Sequence, residues 1–272
     1  MSRTSTDAVI TTSEVRLATT DFAGNGPSVV LMHGLGGSRK LMRKIVAKLE
    51  GWRVITMDLR GHGQSSTATW DFANAVADLD AVIAHYQLDN PYVGGHSLGG
   101  MVALQYGLSG RAAAGVINID GWGPGFAGRF PGEDPARVAA CLDRIADGEL
   151  SLAGRLLTAR ARQTREGTTR QVMRLLHNAD IVAWHRDVPT RSLAFNAIAP
   201  PSRSLAWLMG TELARLQTAH RRGLQRDLAL LVHEQPKVTV VEVQATHALN
   251  LTHPQAVAAA IDTFGLTGAH ES

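Results

Sequence analysis

The sequence predicts an α/β fold: a mostly parallel central sheet flanked by helices, with one helical insertion. Two observations carry this reading. Short apolar runs alternate with segments of helical period through the first 120 residues, an order that gives a parallel sheet covered on both faces. The alternation then stops at Gly121, and strand signals return only near residue 204.

Ser28 to Met32 is an apolar run ending in His33-Gly34, the pattern of a buried parallel strand entering a tight turn. Ser38 stands at an N-cap position, and Leu41, Ile45 and Leu49 follow at helical spacing. Arg53 to Met57 reads as a second buried strand, closed by Asp58. Phe72, Val76, Leu79, Ile83 and Tyr86 step by four, three, four and three, which marks an amphipathic helix. Tyr92 to His96 is a third strand, Leu98 to Leu108 a helix, and Val116 to Ile119 a fourth strand ending at Asp120.

Beyond it, helices and loops are expected up to about Pro201. Strands are expected again at Ser204 to Met209 and at Lys237 to Val243. A last helix opens at Pro254, a favoured first-turn residue, and shows Val257, Ala260, Ile261 and Phe264 on one face. The expected organisation is therefore a core of residues 1–120 and 202–272 with a helical cap at 121–201. The cap would lie over the carboxyl ends of the strands, where open α/β sheets bind ligands.

Composition narrows the function classes. The net charge of +3 is small, and the arginines are spread rather than clustered with aromatics, so no nucleic-acid partner is expected. No apolar run reaches the ~18 residues of a membrane span, so no membrane partner is expected either. Met1 to Ile10 lacks the apolar stretch of a secretory leader. Cys141 is the only cysteine, which excludes an internal disulfide and a thiolate zinc site. A cytoplasmic protein acting on a small molecule, as a monomer or homodimer, is expected. His33-Gly34-Leu35-Gly36-Gly37 does not meet G-x-G-x-x-G, and no H-E-x-x-H is present, so no cofactor and no metal are expected.

The chemistry centres on Gly95-His96-Ser97-Leu98-Gly99, which fits G-x-S-x-G between a strand and a helix. A serine at so sharp a turn needs small neighbours, and the helix behind it offers free N–H groups to developing negative charge.

Together with His33 to Gly37, with Asp58-Leu59-Arg60-Gly61-His62-Gly63-Gln64-Ser65, and with Thr246-His247 before Leu251-Thr252-His253-Pro254, this segment resembles the landmarks of the α/β-hydrolase superfamily, in order and spacing. The resemblance implies an α/β-hydrolase fold with Ser97 as nucleophile and His247 as general base. It also implies backbone N–H groups of Leu35 and Leu98 as the oxyanion hole. His253 is the alternative base. His33 and His62 read as local structure or pocket wall, His96 as a packed neighbour of the nucleophile, and His85, His177, His185, His220, His233 and His270 as surface or cap residues.

Two carboxylates compete for the acid. The superfamily usually places it after the strand that follows the insertion, where Glu212 stands with an offset about one residue short. Zearalenone-type lactonases resemble the chain at Leu205 to Gly210 and at His247 to Pro254, and they place it where Asp120 stands. Trp122, Phe126, Phe130, Trp184, Phe195 and Trp207 are the aromatic candidates, most expected to pack the cap or core, with Trp122, Trp184 and Trp207 expected against substrate. A serine nucleophile implies acyl transfer to water, from a small, rather apolar ester or lactone. Carbon–carbon bond hydrolysis, lyase chemistry and non-catalytic ligand sensing are the alternatives on this scaffold.

Overall fold

A single eight-stranded sheet organises the chain. The structure is a computed structural model that describes residues 3–123, 125, 127–146, 167–177, 179–200 and 211–268. The strands are β1 (Ser5–Thr11), β2 (Arg16–Phe22), β3 (Ser28–Met32), β4 (Arg53–Met57), β5 (Tyr92–His96), β6 (Gly115–Ile119), β7 (Ser192–Ala197) and β8 (Val238–Val243). Their spatial order is β1-β2-β4-β3-β5-β6-β7-β8. The first two pairings are antiparallel and the others parallel. The helices are α1 (Arg43–Val46), α2 (Phe72–His85), α3 (Leu98–Leu108), α4 (Pro135–Ala146), α5 (Thr168–Leu176), α6 (Ile181–Asp187), α7 (Thr211–Glu234), α8 (Leu249–Thr252) and α9 (Pro254–Gly268).

The apolar runs are continuous because both faces of the sheet are covered. Val30 and Met32 of β3 pack on one side with Leu79, Val82 and Leu104. Val29 and Leu31 point to the other, with Ile45, Val257 and Ile261. Each such buried side chain contributes roughly 1.5–3 kcal/mol relative to exposure. α2 starts at Asp71, whose carboxylate accepts the Asn74 N–H at 2.7 Å and so caps the helix. Among the described residues, no helix is long and apolar enough to cross a membrane.

Three expectations change. The β1–β2 hairpin was not legible, because β1 is an exposed polar edge strand and β2 hides two threonines, Thr19 and Thr20. The helix expected after Ser38 is a 3-10 turn, Arg39–Met42, followed by the four-residue α1. The sheet resumes at β7, inside the 121–201 span expected as cap, and Phe195 packs in the core. β7 escaped notice because it carries buried Ser192 and Asn196; Ser192 is tolerated there because its Oγ takes a hydrogen bond from His185 Nδ1 at 3.0 Å. The strand expected at Ser204 to Met209 lies outside the described residues.

The turn after β4 is built around a buried charge. Asp58 accepts from the Arg39 N–H and the Arg39 guanidinium, both at 2.6 Å, and from the Gln64 N–H at 2.9 Å. Neither side chain is appreciably exposed. Removing one partner from such a pair strands the other charge in the interior. Arg39→Met is expected to lower unfolding stability by about 3–5 kcal/mol, as measured by urea denaturation monitored by far-UV circular dichroism.

Candidate active site

The site is assembled at the carboxyl ends of β5, β6 and β8. β5 runs into Ser97, which adopts φ 53° and ψ −117° before α3 begins. That backbone is rare for a residue with a side chain, and the surroundings hold it. The Ser97 N–H donates to the Ile119 carbonyl on β6 at 2.9 Å. Its neighbours must be glycine: a Cβ on Gly95 would lie 2.5 Å from the Met32 carbonyl oxygen, and one on Gly99 would lie 2.6 Å from the same atom. A Cβ on Gly34 would come within 3.0 Å of the Ser97 Cβ, so the turn bearing Leu35 runs directly beside the serine. Leu98 is the first residue of α3, where the N–H has no acceptor within the helix.

Asp120 leaves β6 in a left-handed conformation, φ 56°. Its N–H donates to the Phe195 carbonyl at 3.2 Å, and its Oδ1 accepts the Ala197 N–H at 2.9 Å. Its Oδ2 accepts Nδ1–H of His247 at 2.7 Å. The imidazole is therefore held in the tautomer whose Nε2 lone pair is free. The Asp120 turn is pinned from below by Asn118, whose Oδ1 accepts the Gly121 N–H at 2.8 Å and whose Nδ2 donates to the Gly121 carbonyl at 3.1 Å. Asn118 Nδ2 also donates to His185 Nε2 at 2.9 Å.

Of the two carboxylates weighed in the sequence, Asp120 meets His247. Glu212 falls in the first turn of α7, and its side chain lies outside the described residues. Ser97, Leu35, Leu98, Asp120, His247 and Trp122 share one cavity of about 340 Å³. Trp122 is buried, with its indole N–H on the Phe195 carbonyl at 3.0 Å. Trp184 is not in the cavity wall; it packs edge-on against Phe72, 5.3 Å away, because α6 turns that face toward α2. Trp207 lies outside the described residues, as does Phe126. His253 sits at the end of α8, bonded to Thr252, and does not line the cavity.

Two histidines depart from the surface or cap reading. His185 is fully buried in the Asn118–Ser192 network, and His220 reaches the cavity from α7. His96 is more than a packed neighbour: its Nε2–H donates to the His247 carbonyl at 2.7 Å, and the two rings lie 4.7 Å apart. It fixes the loop on which His247 stands. Burial lowers its pKa to about 3, so this donor stays neutral. Burial likewise lowers His185 to about 3, and His33 and His220 to about 4, the last two helped by nearby cationic or imidazole groups. No local sequence signal distinguishes these histidines, because their burial comes from elements distant in the chain.

The comparisons with known proteins agree with this architecture. Residues 27–120 match a family model described as the alpha/beta hydrolase fold. A Mycobacterium tuberculosis protein described as uncharacterized is 39% identical over 91 residues, 31% of this chain and 26% of that one, so the match spans about a quarter of that relative. A 2-succinyl-6-hydroxy-2,4-cyclohexadiene-1-carboxylate synthase from Serratia proteamaculans is 28% identical over 262 residues, 88% of this chain and 92% of that one. The crystal structure of an E-2-(acetamidomethylene)succinate hydrolase superposes with a TM-score of 0.67 at 18% identity, covering 96% of this chain and 99% of the other. The strand order, the serine turn and the family match over residues 27–120 give the chain the α/β-hydrolase fold.

Two measurements follow. Asp120→Asn is expected to lower kcat about 10⁴-fold, since the oriented tautomer is lost, while Glu212→Gln changes it less than threefold. Steady-state kinetics of the two variants on one substrate decide it. The four neutral histidines, His33 and His185 fully buried and His96 and His220 half-buried, give the fold a pH dependence. The unfolded chain protonates them below about pH 6.5, whereas the folded chain resists to about 4 for two of them and about 3 for the others. The unfolded state thus binds more protons in that window. Stability is full above pH 6.5 and falls as pH drops, by up to about 1.4 kcal/mol per unit per histidine. Urea midpoints measured from pH 7.5 to 4 are expected to decline throughout the lower half of that range.

Proposed function

We propose that the protein is a serine hydrolase that cleaves a small ester or lactone through an acyl-enzyme on Ser97. The observation that carries this is the Asp120–His247 hydrogen bond in the same cavity as a serine held at a strained strand-to-helix turn. The cavity, about 340 Å³, is at the small end for ligand sites. Met101, Trp122, Met173 and Leu176 give it an apolar wall suited to the hydrocarbon part of an acyl or alcohol group.

In this reading Ser97 Oγ attacks the carbonyl carbon and its proton passes to His247 Nε2. The oxygen of the tetrahedral intermediate takes the N–H groups of Leu98 and Leu35, each worth about 3 kcal/mol of barrier. Asp120 stabilises the imidazolium and holds its tautomer. Collapse expels the alkoxide, which takes the proton from His247. Water, activated by the same imidazole, attacks the acyl carbon, and the second collapse frees the acid and restores Ser97.

A second reading keeps the same serine and histidine and applies them to carbon–carbon bond cleavage or elimination. The Serratia relative, alike over most of both chains and named a synthase, supports it.

A fluorophosphonate probe is expected to label the wild-type protein at Ser97 and release of nitrophenol from short nitrophenyl esters is expected to follow multiple-turnover kinetics. Ser97→Ala is expected to abolish both. Labelling that persists in Ser97→Ala would remove the serine from this role.

A further inference from the structure

α7 presents an unusual face to the cavity. Gln217, His220, Arg221 and Leu224 stand at i, i+3, i+4 and i+7, one stripe of the helix, and all four line the cavity that holds Ser97 and His247. A stripe turned inward is ordinarily apolar, yet three of these four are polar. Gln217 Oε1 and His220 Nε2 are buried and have no hydrogen-bond partner among the described residues. Buried polar atoms rarely remain unmatched in a folded protein.

Arg221 is the sharper anomaly. The other arginines drawn into the core are matched to carboxylates: Arg39 to Asp58, Arg60 to Asp78, and Arg129 to Asp180 and Asp227. Arg221 is half-buried and has no ion pair or hydrogen bond among the described residues. The negative charge it senses is Asp120, whose two oxygens are already taken by the Ala197 N–H and by His247. Arg221 also borders an adjoining hollow of about 170 Å³, lined by Pro200 and Gln225 among others, so there is room on its far side for a group longer than the cavity alone would hold. A planar guanidinium with its donors free matches a carboxylate in two parallel hydrogen bonds.

We propose that Arg221 binds a carboxylate carried by the substrate, with Gln217 and His220 hydrogen-bonding the polar atoms beside it. The substrate class is then an anionic acyl compound, such as the half-ester of a dicarboxylic acid or a lactone bearing a carboxylate. Its hydrocarbon part lies on the Met101–Trp122 wall and its charge on α7. The inference rests on the Ser97 reading above.

The test compares monomethyl and dimethyl esters of succinate, glutarate and adipate. For at least one chain length the wild type is expected to favour the half-ester by tenfold or more in kcat/KM, with the preference shrinking as salt is raised. In Arg221→Gln the ratio of half-ester to diester kcat/KM is expected to fall at least tenfold, mainly through KM, with Arg221→Lys retaining part of it. Calorimetry on Ser97→Ala gives a readout free of turnover: the matching dicarboxylate is expected to bind at least tenfold more tightly than to Ser97→Ala/Arg221→Gln. Diester turnover by the wild type with no half-ester preference, or a ratio unchanged in Arg221→Gln, overturns the carboxylate site and leaves the serine hydrolase standing. Absence of fluorophosphonate labelling overturns the serine reading, and this inference with it.

Discussion

The contact on which the site depends is the carboxylate of Asp120. One side chain receives a backbone N–H from β7 and an imidazole N–H from the loop after β8, while its own amide donates back to β7. Three successive strands of the sheet are thus tied at a single residue. The geometry is costly, with a left-handed aspartate on one side and a left-handed serine on the other. It persists because the Ser97 N–H is fixed to Ile119, the residue immediately before Asp120. Nucleophile turn and acid turn are one hydrogen-bonded unit spanning β5 and β6.

A layer of neutral histidines supports that unit. His96 holds the carbonyl of His247, and His185 joins Asn118 to Ser192 beneath the acid turn. His33 donates to the Gly34 carbonyl and accepts the Leu59 N–H, so it couples the turn beside Ser97 to the turn built on Asp58. His33 and His185 each use one ring nitrogen as donor and the other as acceptor, which requires the uncharged ring, while His96 donates through Nε2. Imidazole suits these places because it is flat, compact and able to serve two partners at once.

Much of this was legible in the chain. β3, β4, β5 and β6 announced themselves because strands covered on both faces are mostly apolar and each ends at a recognisable turn. Ser97 was legible because the glycines around it answer a steric demand that is local in sequence. What was hidden depends on distance. β7 conceals Ser192, whose hydroxyl is satisfied by His185 from α6, and Asn196, which borders the cavity. Asp120 and Glu212 could not be separated in the sequence, since the choice turns on which carboxylate meets the His247 loop in three dimensions. Trp184 looked like a pocket residue and Arg221 did not, because helix rotation, not residue type, decides which face meets the cavity.

The helices beside the cavity share a property that follows from one side chain. Arg129, buried on the 3-10 turn Ala127–Arg129, reaches Asp180 at the start of α6 and Asp227 on α7. Its backbone lies so close to α7 that a Cβ at Gly223 would overlap it. Roof and side wall are therefore bolted into a single jaw. The helix that carries Gln217, His220 and Arg221 cannot swing without dragging the Arg129 turn and the start of α6 with it, so these walls of the cavity have to be reshaped together.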